Sequence, residues 1–355
     1  MHPYKDLMPD SFWRTAVADI NPLEIEGLWK PKLSLTPDDA VVTAGSCFAQ
    51  HIGKALVKNG YSWLDAEPAP VQASAELRRK FNYGIFSFRT GNIYTTSLLL
   101  QWCEWALGGQ QVPDEVWTTK EGRFVDPFRP NIEPNGFKSV EELQASRKGT
   151  LNAILHAVKT AKVFVFTLGL TEAWRNKKHG YLYAMCPGTL YGTFNEEDHE
   201  FVNFRYPDVR QSMVAAIQLM RKINPELKFL LTVSPVPLTA TASDQHVLTA
   251  TTHSKSILRA VAGDIAHVRD DTDYFPSYEI ITGFPFRGMF FSPNMRSVSP
   301  KGVEFVMNSF FACLGADGTT NQQGRAPNDT NTQPAQQQKN NDDIICEEEL
   351  LNAFA

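Results

Sequence analysis

The sequence lacks any long apolar run and any cluster of basic residues, and each absence excludes a class of protein. No stretch reaches the roughly eighteen uninterrupted apolar residues that a membrane-spanning helix requires. The formal net charge is −5, and the lysines and arginines form no run, whereas nucleic-acid binding needs a clustered basic surface. We therefore predict neither a membrane span nor a nucleic-acid partner.

Cysteine is scarce, and sequence motifs for metals and nucleotides are missing. The five cysteines include no pair with metal-ligand spacing, and their scattered positions indicate reduced thiols. No zinc motif, phosphate-binding loop or dinucleotide-binding glycine pattern occurs. The polar first residues lead into no apolar segment of the signal-peptide type. We expect a cytoplasmic protein that uses no metal and no cofactor.

The sequence does contain an alternation of short apolar runs and helical stretches. Hydrophobic residues make up 43% of the 355 residues, enough for a sizeable core. Residues 39–43 read as a strand that stops at Gly45-Ser46, and residues 48–58 carry apolar positions at helical spacing. Further helices are predicted at 140–161, 209–223, 254–263 and 301–313, and further strands at 162–167, 228–233 and 265–268. This alternation predicts an α/β fold with a mostly parallel sheet covered by helices.

Long irregular stretches interrupt this pattern and suggest three regions. Residues 63–134 and 186–206 are long inserts of the kind that wall or cap a site. We predict an N-terminal extension at 1–38, a main domain at 39–314 and a tail at 315–355. The polar composition of residues 315–343 predicts disorder. Residues 344–351 are amphipathic, and we favour a solvated tail end over a short docking helix.

Ser46 is the best-placed hydroxyl in the chain, because it follows a strand and precedes a helix. A hydroxyl nucleophile needs a base, a group that orients the base, and donors for the developing oxyanion. A serine at such a turn is also an ordinary helix N-cap. On this feature alone the capping role is the better interpretation.

The ends of neighbouring strands strengthen the case for a site. Gly169-Leu170-Thr171-Glu172 and Ser234-Pro235 end the next two units, so polar loop starts meet at one edge of the sheet. Asn82 and Asn92 could supply amide donors from the first insert. Thr171 could instead cap a helix and Asn92 could be a turn residue, but the convergence favours a site.

Several motifs resemble those of the GSCFA family, which is named after Gly45-Ser46-Cys47-Phe48-Ala49. The resemblance extends to residues 81–85, 167–174, 232–237, 254–255 and 274–279. That family is similar to the SGNH/GDSL hydrolases, which cleave or transfer O-acyl esters. The resemblance implies a flavodoxin-like three-layer α/β/α domain with long cap insertions.

The same resemblance assigns roles to particular residues. Ser46 corresponds to the nucleophile, and the backbone N–H of Cys47, with Asn82 or Gly84, would help form the oxyanion hole. The segment from Gly169 to Glu172 stands where the SGNH pattern has Gly-x-Asn-Asp. Thr171 there replaces an asparagine, and its hydroxyl can donate only one hydrogen bond.

The chain departs from the pattern in the last loop, where SGNH enzymes carry Asp-x-x-His. Residues 294–300 contain neither an aspartate nor a histidine, so a base must come from elsewhere. We rank His246 first, His253 second and His199 third, and for each an ordinary loop histidine is the alternative. Lys255 is a further possible base if it is desolvated. Cys47 is a possible nucleophile that we rank below Ser46.

We therefore predict a serine O-acyl ester hydrolase or acyltransferase that acts on an acylated carbohydrate or polysaccharide. Aromatic residues of the inserts could line a sugar platform, although they more often simply pack; they include Trp102, Trp105, Trp117, Phe124, Phe128, Trp174 and Tyr191. The alternatives are a non-catalytic carbohydrate-binding module that keeps the fold without a working triad, and a scaffold that acts through its tail.

Overall fold

The elements described below come from a computed structural model that describes residues 2–315 and 346–355. The helices are α1 (Phe48–Lys58), α2 (Ala75–Lys80), α3 (Thr96–Ala106), α4 (Val140–Thr160), α5 (Tyr206–Ile223), α6 (Val247–Val268), α7 (Ser277–Thr282) and α8 (Pro300–Gly315). The strands are β1 (Val41–Gly45), β2 (Trp117–Thr118), β3 (Phe124–Val125), β4 (Val163–Leu168), β5 (Glu172–Asn176), β6 (Leu182–Tyr183), β7 (His199–Asn203), β8 (Lys228–Val233) and β9 (Thr272–Tyr274).

The central sheet is parallel and has the strand order β1-β4-β8-β9. Gly45 lies opposite Thr167, and Thr167 lies opposite Thr232. The carboxyl ends of β1, β4 and β8 therefore meet at one edge of the sheet. This arrangement confirms the predicted α/β fold, and the helices on both faces make it a three-layer α/β/α architecture.

Strands β1, β4 and β8 each contribute to two hydrophobic cores, because successive side chains point to opposite faces. Val42 and Phe164 face a core built with α3, α4, α5 and α6. Their neighbours Val41 and Val163 face a second core, built with α1, α7 and α8. Burying one such side chain contributes roughly 1.5–3 kcal/mol, so the two cores fix the sheet and the loops at its edge.

Most predicted elements of this sheet are found, with one error. Helix 48–58 and strand 228–233 have the predicted bounds. The strand predicted at 265–268 is wrong, because α6 continues through Val268 and the strand follows at Thr272–Tyr274. Leu258, Ala262 and Ile265 line one helical face toward the core, and a four-residue window cannot reveal that periodicity.

The inserts and the N-terminal region pack on this sheet domain. The first insert contains α2, α3 and the β2–β3 pair. The second contributes β7 to an antiparallel sheet of order β6-β5-β7, whose other two strands precede this insert. In the N-terminal region, Trp29 stacks on Phe310 of α8 with a ring-centroid distance of 5.4 Å.

The end of the described chain differs from the favoured expectation. Residues Glu347–Phe354 form a 3-10 helix that packs against the domain rather than lying in solvent as a tail end. The disorder predicted for 315–343 falls, apart from Gly315, outside the described residues. Among the helices within 2–315 and 346–355, none is long and apolar enough to cross a membrane.

Candidate active site

Ser46 lies in the turn between β1 and α1, at the edge where the parallel strands end. Gly45 has a φ of +128°, and a Cβ at this position would overlap the backbone of Thr167. The Ser46 N–H donates to the Thr167 carbonyl at 3.0 Å. Ser46 is 2% exposed, and its Oγ has no hydrogen-bond partner among the described residues. The side chain therefore does not cap α1, and the capping interpretation is wrong.

A second wall of the site is the segment that ends at Tyr94. The Ile93 N–H donates to the Gly45 carbonyl at 2.8 Å, and the Gly169 N–H donates to the Tyr94 carbonyl at 3.0 Å. A Cβ on Gly169 would stand 3.1 Å from Ser46 Cβ and 3.0 Å from the Tyr94 ring. Ser46, Tyr94 and Gly169 are therefore in close contact, and Asn92 lies beside them, buried.

Lys255 is a buried amine at this edge. It is 2% exposed, and its Nζ donates to the Gly169 carbonyl at 2.6 Å. Burial lowers the pKa of Lys255 to about 8, although the negative charge of Glu348 acts to raise it. Lys255 is therefore desolvated, which is the condition for its role as a base.

Arg296 and two thiols complete the charged part of the site. Arg296 forms ion pairs with Glu348 at 3.4 Å and with Glu349 at 3.3 Å. The interaction with the neighbouring Cys47, together with the nearby Arg296, lowers the pKa of the Cys346 thiol to about 6 despite its burial. The interaction with Cys346, with burial, raises the pKa of Cys47.

Thr171 and Glu172 lie at the predicted edge but have partners within the fold. The Thr171 N–H donates to Ser254 Oγ at 3.0 Å, and its hydroxyl donates to Asn203 Oδ1 at 2.7 Å. Glu172 lines the cleft described below and accepts a hydrogen bond from the Thr241 hydroxyl at 2.7 Å. Burial raises the pKa of Glu172, so this carboxyl binds a proton more readily than an exposed one.

Asn82 and Gly84 belong to a turn of the first insert. Asn82 has a φ of 56°, and its Nδ2 donates to the Asn131 carbonyl at 3.0 Å. Gly84 is exposed, with a φ of 69°. The amide of Asn82 therefore ties two parts of the insert together, whereas that of Asn92 points into the site.

Two of the three ranked histidines, His246 and His199, accept backbone hydrogen bonds. His246 is the exposed N-cap of α6, and its Nδ1 accepts from the Leu248 N–H at 3.2 Å. His199 is buried, and its Nδ1 accepts from the Asn195 N–H at 3.0 Å. His253 is exposed on α6, where its charge acts on Glu172. Because Ser46 Oγ has no hydrogen-bond partner in the described chain, none of the three is hydrogen-bonded to it in this conformation.

A cleft of about 450 Å³ lies beside Tyr94 and Glu172. Its outer wall comes from the antiparallel sheet and contains Trp174, Phe194 and Phe201. Of the aromatic residues suggested for a sugar platform, Trp174 lines this cleft, whereas Trp102 and Phe128 are buried in the core. The cleft thus joins an aromatic wall to Tyr94, Glu172 and Glu347, whereas Ser46 itself is not among its lining residues.

Sequence reasoning missed Tyr94, Arg296 and residues 346–355 as parts of this site. Arg296 lies in the segment where the resemblance leads one to expect Asp-x-x-His, so that segment does reach the site with a different side chain. Consecutive acidic residues at Glu347, Glu348 and Glu349 were the available signal for the end of the chain. Their partners lie far away in sequence and carry no local pattern.

Comparison with known proteins adds one match. Residues 40–310 match the model described as the GSCFA family. No curated protein matches the chain. The matched range runs from just before β1 to the last turns of α8, and it includes every residue placed around Ser46 above except those of 346–355.

Proposed function

This chain belongs to the GSCFA family, and on that premise we propose that it is a serine O-acyl ester hydrolase or acyltransferase with Ser46 as its nucleophile. The observation that carries the proposal is the buried Ser46 Oγ at the glycine turn, which has no hydrogen-bond partner in residues 2–315 or 346–355. A buried hydroxyl without a partner costs free energy, and such groups are found where a ligand or a reaction uses them. A relation to the SGNH/GDSL hydrolases is part of the same proposal.

Lys255 is the base that we propose for this serine. Its amine is buried at the carbonyl of Gly169, which is itself in contact with Ser46. In its neutral form it can take the Ser46 proton, directly or through a water, as Oγ attacks the ester carbonyl. Lys255 then returns the proton to the leaving alcohol. His253 and His246 are the alternative bases, and either would have to move toward Ser46.

The proposed oxyanion donors are the Asn92 amide and the backbone N–H of Cys47. Asn92 Nδ2 already donates to a carboxylate oxygen, that of Glu347, so the amide is directed toward a negatively charged oxygen. The Cys47 N–H precedes the first turn of α1, where N–H groups lack partners within the helix. Donors placed in this way stabilise the charge that develops during acyl transfer.

The resulting acyl-Ser46 is released by water in a hydrolase or by a second alcohol in a transferase. The aromatic wall of the cleft supports an acylated carbohydrate or polysaccharide as substrate, because sugar rings pack well on aromatic faces. Trp174, Phe194 and Phe201 supply that wall.

The test is covalent labelling with a fluorophosphonate, followed by intact mass. Wild type, Ser46→Ala and Ser309→Ala are compared, the last being a matched serine of α8 away from the site. The same set is made with Glu347→Lys/Glu348→Lys, because residues 346–355 cover the cleft. A stoichiometric adduct that disappears only with Ser46→Ala supports the proposal. The absence of any adduct on every folded variant contradicts it.

A non-catalytic carbohydrate-binding module is the second candidate. It is favoured by one observation, since the last loop presents Arg296 in place of an acid and a histidine. In that case, the Ser46→Ala variant would bind acylated or free oligosaccharides as tightly as wild type, and neither protein would be labelled.

A further inference from the structure

The last described residues, 346–355, which we call the C-terminal segment, lie across the candidate active site. Glu347 is only 9% exposed. Its Oε2 accepts hydrogen bonds from Asn92 Nδ2 and, at 3.3 Å, from the Tyr94 hydroxyl. A Cβ on Gly91 would stand 3.1 Å from Glu347 Oε1, so a glycine there leaves room for the carboxylate. Asn92 and Tyr94 therefore hold the carboxylate, and Gly91 leaves room for it.

The segment makes a second set of contacts on the other side of Ser46. Cys346 lies near Cys47, the residue that follows Ser46, and its Sγ is 3.8 Å from the Tyr94 hydroxyl. Arg296 pairs with Glu348 at 3.4 Å and contacts Cys346 Sγ at 3.8 Å. Lys255 also acts on Glu348 electrostatically. Two cations of the domain thus face the acidic groups of the segment.

The apolar part of the segment enters the cleft itself. Leu351 and Phe354 line the cleft together with Trp174 and Phe201. No residue of the segment belongs to either core of the domain as far as the described residues show. Its contacts are therefore those of a bound ligand, with acidic groups at the polar end and apolar groups at the aromatic end.

From these contacts we propose that the C-terminal segment is a tethered, autoinhibitory plug that occupies the ligand position beside Ser46. Its Glu347 carboxylate takes the place of a ligand oxygen at Asn92 and Tyr94, and Leu351 and Phe354 form part of the wall of the cleft. The inference rests on the proposed function, since it names the regulation of the same site. A ligand then binds only the open fraction of molecules, so its apparent affinity is its intrinsic affinity multiplied by that fraction.

A covalent trap tests the position of the plug without any reference to catalysis. Diamide joins two adjacent thiols as a disulfide and takes up the two hydrogens released. In the full chain, we expect a Cys47–Cys346 disulfide, found by peptide mapping, and none in Cys346→Ser. Glu347→Lys/Glu348→Lys places positive charge against Arg296 and Lys255 and should slow this reaction. The exposed Asn352→Lys of the same segment is the matched control and should leave it unchanged.

The rate of fluorophosphonate labelling tests what the plug does. We expect Glu347→Lys/Glu348→Lys to react with the probe on the order of tenfold faster than wild type, because it loses charge-assisted hydrogen bonds. The control Asn352→Lys should react at the wild-type rate. A synthetic peptide of residues 346–355, added to the double variant, should slow its labelling again.

The two proposals can fail separately. A disulfide that forms in wild type, with no labelling of any variant, contradicts the serine enzyme and leaves the plug standing. Equal labelling of wild type and Glu347→Lys/Glu348→Lys, with no Cys47–Cys346 disulfide, overturns the plug and leaves the enzyme standing.

Discussion

At the scale of single residues, the site depends on how Lys255 is buried. An amine in water keeps its proton near neutral pH, but desolvation disfavours the charged form. Burial lowers the pKa of Lys255 to about 8, so a useful fraction is neutral at mildly alkaline pH. The amine keeps one hydrogen bond, to the Gly169 carbonyl, which holds it at the edge where Ser46 lies.

The pH dependence of Ser46 labelling tests this role. Because the proposed base is the neutral amine, the labelling rate of wild type should rise as the pH passes through about 8. In Glu347→Lys/Glu348→Lys the rise should come at a lower pH, because the charge of Glu348 raises the pKa of Lys255. Lys255→Arg, which stays protonated, should lose this rise and react at least about tenfold more slowly at high pH. The exposed Lys54→Arg is the control. A rise that persists in Lys255→Arg would assign the base to another residue.

At the scale of elements, a buried ion cluster holds the first insert against α4. Asp126 pairs with Arg129 and with Arg147, each at 2.9 Å, and all three side chains are buried. Burial alone would raise the pKa of Asp126, but the two guanidinium groups hold it below its usual value of 3.8. The cluster thereby fixes the insert that carries Asn92 and Tyr94.

Asp126→Asn should be strongly destabilising, because it leaves two buried arginines uncompensated. We expect a loss of roughly 3–5 kcal/mol in the free energy of unfolding, measured by denaturant titration. The contribution of Asp126 is present above pH 3.8 and is lost as the pH falls through its lower folded pKa. Asp264→Asn, which breaks a half-exposed pair with Arg210, should leave the midpoint nearly unchanged. Equal effects of both variants would show that the buried cluster adds no stability.

At the scale of the whole molecule, the stability of the two cores does not depend on the C-terminal segment. The segment contributes nothing to the two cores. Glu347→Lys/Glu348→Lys should therefore release the segment by local unfolding and leave global stability within about 0.5 kcal/mol of wild type. Thermal unfolding of the double variant and of Asn352→Lys checks this. A large drop for the double variant alone would make the segment part of the cooperative fold.

The sequence predicts the parts of this molecule that rest on local periodicity. The bounds of α1 and β8 and the position of Ser46 at the sheet edge follow from apolar spacing and a glycine turn. Asn92 and Glu347 are 255 positions apart, and Arg296 and Cys346 are 50 apart. Pairs of that kind form through tertiary packing and leave no periodic signal. For the same reason, the sequence did not reveal how the chain ends. The polar composition before residue 344 favoured a solvated tail end, whereas residues 347–354 form a helix that packs against the domain.

The antiparallel sheet beside the cleft begins and ends at one point of the domain. The Phe204 N–H donates to the Thr171 carbonyl at 2.8 Å, so all residues between them form a loop closed at its neck. A closed loop of this kind can change in length or sequence without disturbing the register of the strands below it. Trp174, Phe194 and Phe201 lie within it. Changes in this loop can therefore alter which ligand the cleft binds, while the proposed reacting groups keep their positions on the parallel sheet.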